Sequence, residues 1–191
     1  VSAMSKETNK LIDLAKQVGV ENLVDPEYDA LISTGEDVSS SLLAIALNSI
    51  EISSRSWRGW QLPIRTDSFH SNAKIEEINT NQIINSFKEG VKVAVVSGFQ
   101  GMEQAGRITT LGRGGSDTSA VAIAAAIDAE RCDIYTDVSG IYTTDPRIKK
   151  NASKLKKISF EEMLEMAISN ISSNEIFFSF DAFFLILGSV V

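Results

Sequence analysis

Three glycines within four residues, Gly112, Gly114 and Gly115, stand directly before an alanine-rich run from Thr118 to Ala129. No other feature constrains this chain as strongly. Glycines let a backbone turn tightly and approach a ligand closely. The run that follows reads as a helix, whose first turn offers unpaired N–H groups and the positive end of a dipole. Ser116, Asp117, Thr118 and Ser119 add hydroxyls and a carboxylate at that helix start, and Arg113 adds a planar cation suited to a carboxylate or phosphate. Together these residues describe an anion site at the end of a strand. The loop is not a Walker A loop, because Gly-Lys-Ser/Thr is missing. A tight turn feeding a well-packed helix accounts for the glycines alone, but not for Arg113 and the polar run.

The rest of the chain supplies the layers such a loop requires. Residues 8–18 place Leu11, Ile12, Leu14, Ala15 and Val18 at helical spacing, and a loop is expected around Asp25-Pro26. A second helix opens at Ser33 or Thr34, either of which could cap it, with Val38, Leu42, Leu43, Ile45, Ala46 and Leu47 as its apolar side. Residues 50–66 read as a strand and a turn, and Trp57 and Trp60 as parts of a partly buried hairpin. Thr80–Glu89 reads as a helix ended by Gly90, and Val91–Val96 as a buried strand. The glycines at 98, 101 and 106 punctuate a loop, and Cys132–Thr136 reads as a further strand. Ser159 and Glu162 have capping-box spacing at the start of a last helix. Strands alternate with helices without internal repeats, so the expected class is α/β, with a mainly parallel sheet between helices.

Composition narrows the function. The chain has 191 residues, 43% apolar and 23% charged, which fits a folded domain and excludes a disordered or disulfide-stapled chain. A net charge of −7 argues against a nucleic-acid partner. Charge is uneven: no Lys or Arg follows Lys157, while Glu161, Glu162, Glu165, Glu175 and Asp181 do, and five of the nine Phe lie in the same end. Residues 176–191 are apolar but shorter than a membrane span, so no membrane partner is expected, nor a signal peptide. The single cysteine, Cys132, fits a reducing compartment and reads as core. The single histidine, His70, has no second His or Cys near it, so no protein metal site is expected.

A second polar cluster follows the strand that ends at Thr136. Thr136, Asp137, Tyr142, Thr143, Thr144, Asp145 and Arg147 gather where open α/β sheets bind ligands. Tyr142 could stack on a base and Arg147 could reach phosphate. A surface loop with an Asp-Pro turn is the alternative.

The strings TTLGRGGSDTSAVAIAAAI and YTDVSGIYTTDPR resemble the core of aspartate kinases, in the amino acid kinase family. SAMSKETNKLIDLA, LISTGEDVSSSLLAIAL, VVSGFQG and SFEEMLEMA resemble further motifs of that family, in the same order, over about residues 1–168. The resemblance implies an incomplete three-layer, carbamate kinase-like fold. It also implies transfer of the γ-phosphoryl of ATP, with Mg²⁺, to the side-chain carboxylate of L-aspartate, the first step toward lysine, threonine and methionine. By resemblance Arg113 would hold the substrate α-carboxylate and Glu36 its α-ammonium. Ser2 and Thr8 would lie near substrate and phosphates. Gly114, Gly115 and Ser116 would line the transfer site, and Asp117 would orient a catalytic lysine. Thr136, Asp137, Tyr142 and Arg147 would hold the nucleotide. A cytoplasmic enzyme, with homo-oligomers possible, is what the family implies.

The departures matter as much. The family begins with a strand and a Lys-Phe/Tyr-Gly-Gly-Thr/Ser loop whose lysine touches the phosphates, and this sequence has no such run. Ser172 stands where the family has a nucleotide-contacting lysine. The expected organisation is a partial catalytic domain over 1–168 and a divergent apolar tail over 169–191, without regulatory ACT domains. Little or no activity is expected of this chain alone. The alternatives are a non-catalytic remnant, a subunit that pairs with a complete chain, or a kinase for another small acid.

Overall fold

A computed structural model describes residues 1–19, 24–135, 149, 151, 153 and 183–187. The expected helix over 159 onward lies outside these residues. The described chain opens with α1 (Glu7–Gln17), α2 (Pro26–Ile32) and α3 (Thr34–Ser49). Two strands, β1 (Ser54–Trp57) and β2 (Ile64–Thr66), precede β3 (Ile75–Ile78) and α4 (Asn81–Lys88). Then come β4 (Val93–Val96), β5 (Gln100–Met102), β6 (Ile108–Thr110), α5 (Gly115–Ala126), β7 (Arg131–Tyr135) and β8 (Phe183–Leu187).

The class is α/β. β1 and β4 pair in parallel, with Ser54 opposite Val93 and Trp57 opposite Val96. A four-stranded sheet runs in the order β3-β2-β5-β6. In it β2 and β5 are parallel, while the β2–β3 and β5–β6 ladders are antiparallel. β7 pairs antiparallel with β8, Cys132 opposite Ile186. The main core joins these layers: Trp57, Leu62, Ile64, Ile83 and Ile123 form one buried cluster drawn from β1, β2, α4 and α5. A second cluster of Ala15, Tyr28 and Ile32 ties α1 to α2.

Several elements differ from the sequence expectation, each for a physical reason. The loop around Asp25-Pro26 is the start of α2: Asp25 accepts a hydrogen bond from Glu27 N at 2.7 Å, and Pro26 occupies the first turn, where its missing N–H costs nothing. Neither Ser33 nor Thr34 caps α3. Their hydroxyls instead donate back to Ala30 O and Leu31 O, because α2 runs almost directly into α3. The face of α3 turned inward is also not the apolar one. Gly35, Glu36, Ser40 and Ala44 are buried, whereas Val38, Leu42 and Ile45 are exposed. Trp57 and Trp60 do not share a hairpin: Trp57 is buried beside β4, and Trp60 is exposed in the turn after it. Gly101 lies within β5, so the segment with glycines 98, 101 and 106 is largely the β5–β6 hairpin. The helix expected over Thr118–Ala129 starts earlier, at Gly115. Phe183–Leu187 provides the partner strand of β7.

The stretch Pro26–Ser49 is long and apolar enough to cross a membrane by length and composition. It carries Asp29 and Glu36, both buried within this fold, and its polar face packs inward, as a core element does.

Candidate active site

The site forms where four chain segments meet: the start of the chain, the first turn of α3, the loop after β4, and the loop entering α5. Small residues make the meeting possible. A Cβ at Gly35 would lie 2.9 Å from Ala3 Cβ, and one at Gly98 would lie 2.9 Å from Ser116 Cα. One at Gly115 would come within 2.8 Å of the Phe99 ring. Side chains at these three positions would push the segments apart.

Hydrogen bonds then fix the loop after β4. Ser97 Oγ donates to Asp37 Oδ1 at 2.9 Å and also meets Ser40 Oγ at 2.9 Å. Gln100 Nε2 donates to the same Asp37 oxygen at 3.1 Å, and Arg58 Nε pairs with Asp37 Oδ2 at 3.4 Å. Phe99 holds a left-handed backbone, φ 67°, which is costly for a bulky residue and is sustained by its surroundings. Its N–H donates to Ser119 Oγ at 3.0 Å and its carbonyl accepts from Leu111 N at 2.9 Å. Phe99 therefore clamps β6 to α5.

The α5 entry has the character the glycines suggested. Gly112 and Gly114 have φ of 74° and 76°, which only glycine adopts freely. No side chain caps α5, and of its first-turn N–H groups that of Gly115 is held by Gly112 O at 3.1 Å. Ser116 and Asp117 are buried in that turn. Arg113 is exposed at the tip of the loop.

Two buried carboxylates set the electrostatics. Glu36 Oε1 accepts from Ala3 N at 3.1 Å, while Oε2 is buried without a hydrogen-bond partner. Burial pushes its pKa up to about 7, against a smaller opposing effect of the Ala3 N–H. Asp117 Oδ1 is likewise buried and unpartnered, and burial pushes its pKa up to about 7. Ser2 Oγ and, in β1, Trp57 Nε1 are the other buried polar side-chain atoms without a partner among the described residues. Orphaned buried polar atoms are rare in folded proteins, and a group of them marks a place that a polar ligand completes. Burial also raises the Cys132 thiol, helped by Asp133 and Asp117, which keeps it a protonated thiol at neutral pH.

The structure thus brings Ser2, Glu36, Gly114, Gly115, Ser116 and Asp117 to neighbouring segments and leaves Arg113 accessible beside them. Thr8 sits in the first turn of α1, next to Glu7, whose Cβ would lie 4.0 Å from a Gly35 Cβ. Thr136, Asp137, Tyr142 and Arg147 lie outside the described residues. Sequence reasoning missed the residues that shape the site: Asp37, Ser97, Phe99, Gln100 and Ser119. A signal was present in Asp37, which directly follows Glu36, and in the clustered Ser97-Gly98.

The chain matches the amino acid kinase family model over residues 1–181. It is 56% identical over 167 residues to "Aspartate kinase Ask_LysC" of Stutzerimonas stutzeri, covering 87% of this chain and 40% of that one. It is 54% identical, with the same coverage, to an aspartokinase of Bacillus sp. strain MGA3. Among solved structures, E. coli aspartokinase III in complex with aspartate and ADP matches 83% of this chain and 36% of that one, with a TM-score of 0.64 and 36% identity. The aspartate kinase from Synechocystis matches 90% of this chain and 28% of that one, with a TM-score of 0.62 and 44% identity. The chain spans 40% of the length of these curated relatives. A glycine-rich helix start that carries the buried Asp117, joined through Gly98 to the chain start that bonds Glu36, is therefore held by a chain that belongs to the amino acid kinase family.

Proposed function

We propose that this chain carries the amino-acid-binding part of an aspartate kinase catalytic domain. In that reaction a side-chain carboxylate oxygen of L-aspartate attacks the γ-phosphorus of ATP, and ADP leaves, yielding 4-phospho-L-aspartate. The observation that carries the reading is the orphaned Glu36 oxygen, tied through Ala3 to a chain start that bonds Gly98, which in turn abuts Ser116 at the end of the Arg113 loop. A buried carboxylate with a free acceptor suits an ammonium, and an accessible guanidinium suits a carboxylate. Together they fit the two ends of an α-amino acid. The E. coli neighbour, whose structure holds aspartate and ADP, supports the same choice of ligands.

The residues divide the work as follows. Glu36 binds the α-ammonium and Arg113 the α-carboxylate, which aims the side-chain carboxylate toward α5. Gly114 and Ser116 present main-chain N–H groups to the transferring phosphoryl, and Gly115, whose N–H is held by Gly112 O, lets it approach closely. Asp117 offers an acceptor for a cationic side chain, and Ser2 and Thr8 flank the substrate. Thr136, Asp137, Tyr142 and Arg147 hold the nucleotide. Mg²⁺ bound with the nucleotide neutralises phosphate charge. Among the described residues no group of three acidic, His or Cys side chains could cage it, so phosphate oxygens and water would supply its ligands. Residues 1–168 form the kinase part of this reading, and the family match continues to residue 181.

Isothermal titration of the 191-residue chain with L-aspartate, L-glutamate and ADP tests the reading. Aspartate and ADP are expected to bind at millimolar concentration or better, and glutamate more weakly. Binding of neither aspartate nor ADP overturns it. Catalysis is a separate matter. The sequence has no Lys-Phe/Tyr-Gly-Gly run, and loss of one group aimed at developing charge costs about 10²–10³ in rate. Aspartyl phosphate trapped as hydroxamate is expected at under about 1% of the rate of a full-length relative.

A further inference from the structure

The most heavily bonded side chain in the described structure is one to which the proposed reaction gives no role. Asp29, in α2, is fully buried. Its carboxylate receives hydrogen bonds from two other segments. Thr110 contributes both its N–H, at 2.9 Å to Oδ2, and its hydroxyl, at 2.8 Å to Oδ1. Ser71 contributes its N–H, at 2.9 Å to Oδ2, and its hydroxyl, at 3.2 Å to Oδ1. His70 Nδ1 lies 3.0 Å from Oδ2.

These partners are not scattered. Thr110 is the last residue of β6 and stands three residues before Arg113. The turn holding His70 and Ser71 lies against the same loop: a Cβ at Gly112 would fall 3.2 Å from Ser71 O and 2.6 Å from Asn72 Oδ1, and Ala73 N donates to Thr110 O at 2.9 Å. Asp29 thus fixes the strand end and the turn that together frame the base of the Arg113 loop. The other end of that loop, the first turn of α5, is held without Asp29, through Phe99 and Ser119, although the Phe99 carbonyl also takes Leu111 N beside Thr110.

We propose that Asp29 is a positioning residue for the amino-acid substrate, acting through Thr110 on the placement of Arg113, with His70 and Ser71 completing its shell. This deepens the reading of the site above and rests on it. Because the α5 turn has its own anchor, disturbance at Asp29 reaches the α-carboxylate contact and leaves the phosphate side in place. A residue that only stabilised the fold would affect both ligands alike.

The experiment measures dissociation constants for L-aspartate and ADP by titration calorimetry on the chain and on Asp29→Asn, Thr110→Val and Thr110→Ser, with near-ultraviolet circular dichroism as the fold check. Asp29→Asn and Thr110→Val are expected to weaken aspartate about tenfold while ADP stays within about twofold, the loss of a charge-assisted hydrogen bond. Thr110→Ser keeps the hydroxyl and is expected to retain aspartate affinity. Equal weakening of both ligands, or unchanged aspartate affinity in a folded Thr110→Val, overturns the assignment alone. Should Asp29→Asn fail to fold, the Val and Ser pair at 110 decides. If the unsubstituted chain does not bind aspartate, the reading of the site falls and the assignment falls with it.

Discussion

A carboxylate held near half protonation at neutral pH must change its proton count when a cation arrives. Glu36 is such a group, since burial raises it to about 7 and leaves one oxygen bare. An ammonium beside it favours the charged form and lowers the pKa again. Aspartate binding near pH 7 is therefore expected to release up to about half a proton from this residue. Calorimetry at pH 7 in phosphate and in Tris, which differ in ionisation enthalpy, reads that release, and Glu36→Gln is expected to abolish it together with most of the affinity. Equal heats in the two buffers count against Glu36 as the ammonium site. At this scale the site was legible in part. Glu36, Arg113 and Asp117 carry chemistry in their side chains and stood in recognisable strings. Asp29 and Asp37 did not declare themselves, because their importance lies in distant donors, main chain and hydroxyl of Ser71 and Thr110 for Asp29 and side chains of Arg58, Ser97 and Gln100 for Asp37, which no local spacing reveals.

The elements meet through glycines, and substitutions there have calculable effects. Gly98→Ala would place a methyl 2.9 Å from the Ser116 main chain, so α5 must shift away from the β4 end. The expected cost is about 1–3 kcal/mol, read from urea unfolding, with loss of ligand binding. Asp25→Ala removes the cap of α2 and is expected to cost about 1 kcal/mol without touching the site directly. The helices α1, α4 and α5 and the strand β4 were readable because periodicity and end signals agreed. α2 was hidden by its brevity and by a proline that looked like a break. The inward face of α3 was misjudged because its neighbours approach too closely for large side chains, so small and polar residues went inside and Val38, Leu42 and Ile45 stayed out. The antiparallel ladders of β5–β6 and β7–β8 depend on partners that a scan for local patterns does not see.

For the molecule as a whole, burying two carboxylates that each leave one oxygen unpartnered carries a pH signature. Glu36 and Asp117 both have folded pKa values near 7, above their unfolded values. Each favours the folded state most fully below the unfolded value, near pH 4, and loses that advantage as pH rises through 7. The upper limit is about 3–4 kcal/mol per group. Thermal melts are expected to show a lower Tm at pH 8 than at pH 5.5, and Asp117→Asn is expected to flatten the difference. The buried Val1 ammonium, lowered to about 6, works in the opposite direction over this range, so an unchanged pH dependence in Asp117→Asn is the result that contradicts the assignment of Asp117.

The site also has a history within each molecule's synthesis. Its walls come from Ser2 and Ala3, from Glu36, from Gly98 and from Ser116, contacts that reach across most of the first 117 residues. On a ribosome adding about 5–20 residues each second, Glu36 emerges several seconds before Gly98 and Ser116. During that interval it faces water as an ordinary ionised carboxylate. Closure of the chain start over α3, locked by the Val1 and Gly98 main-chain contact that only the later β4 end supplies, strips its solvent and so creates the charge environment that its ligand would later satisfy.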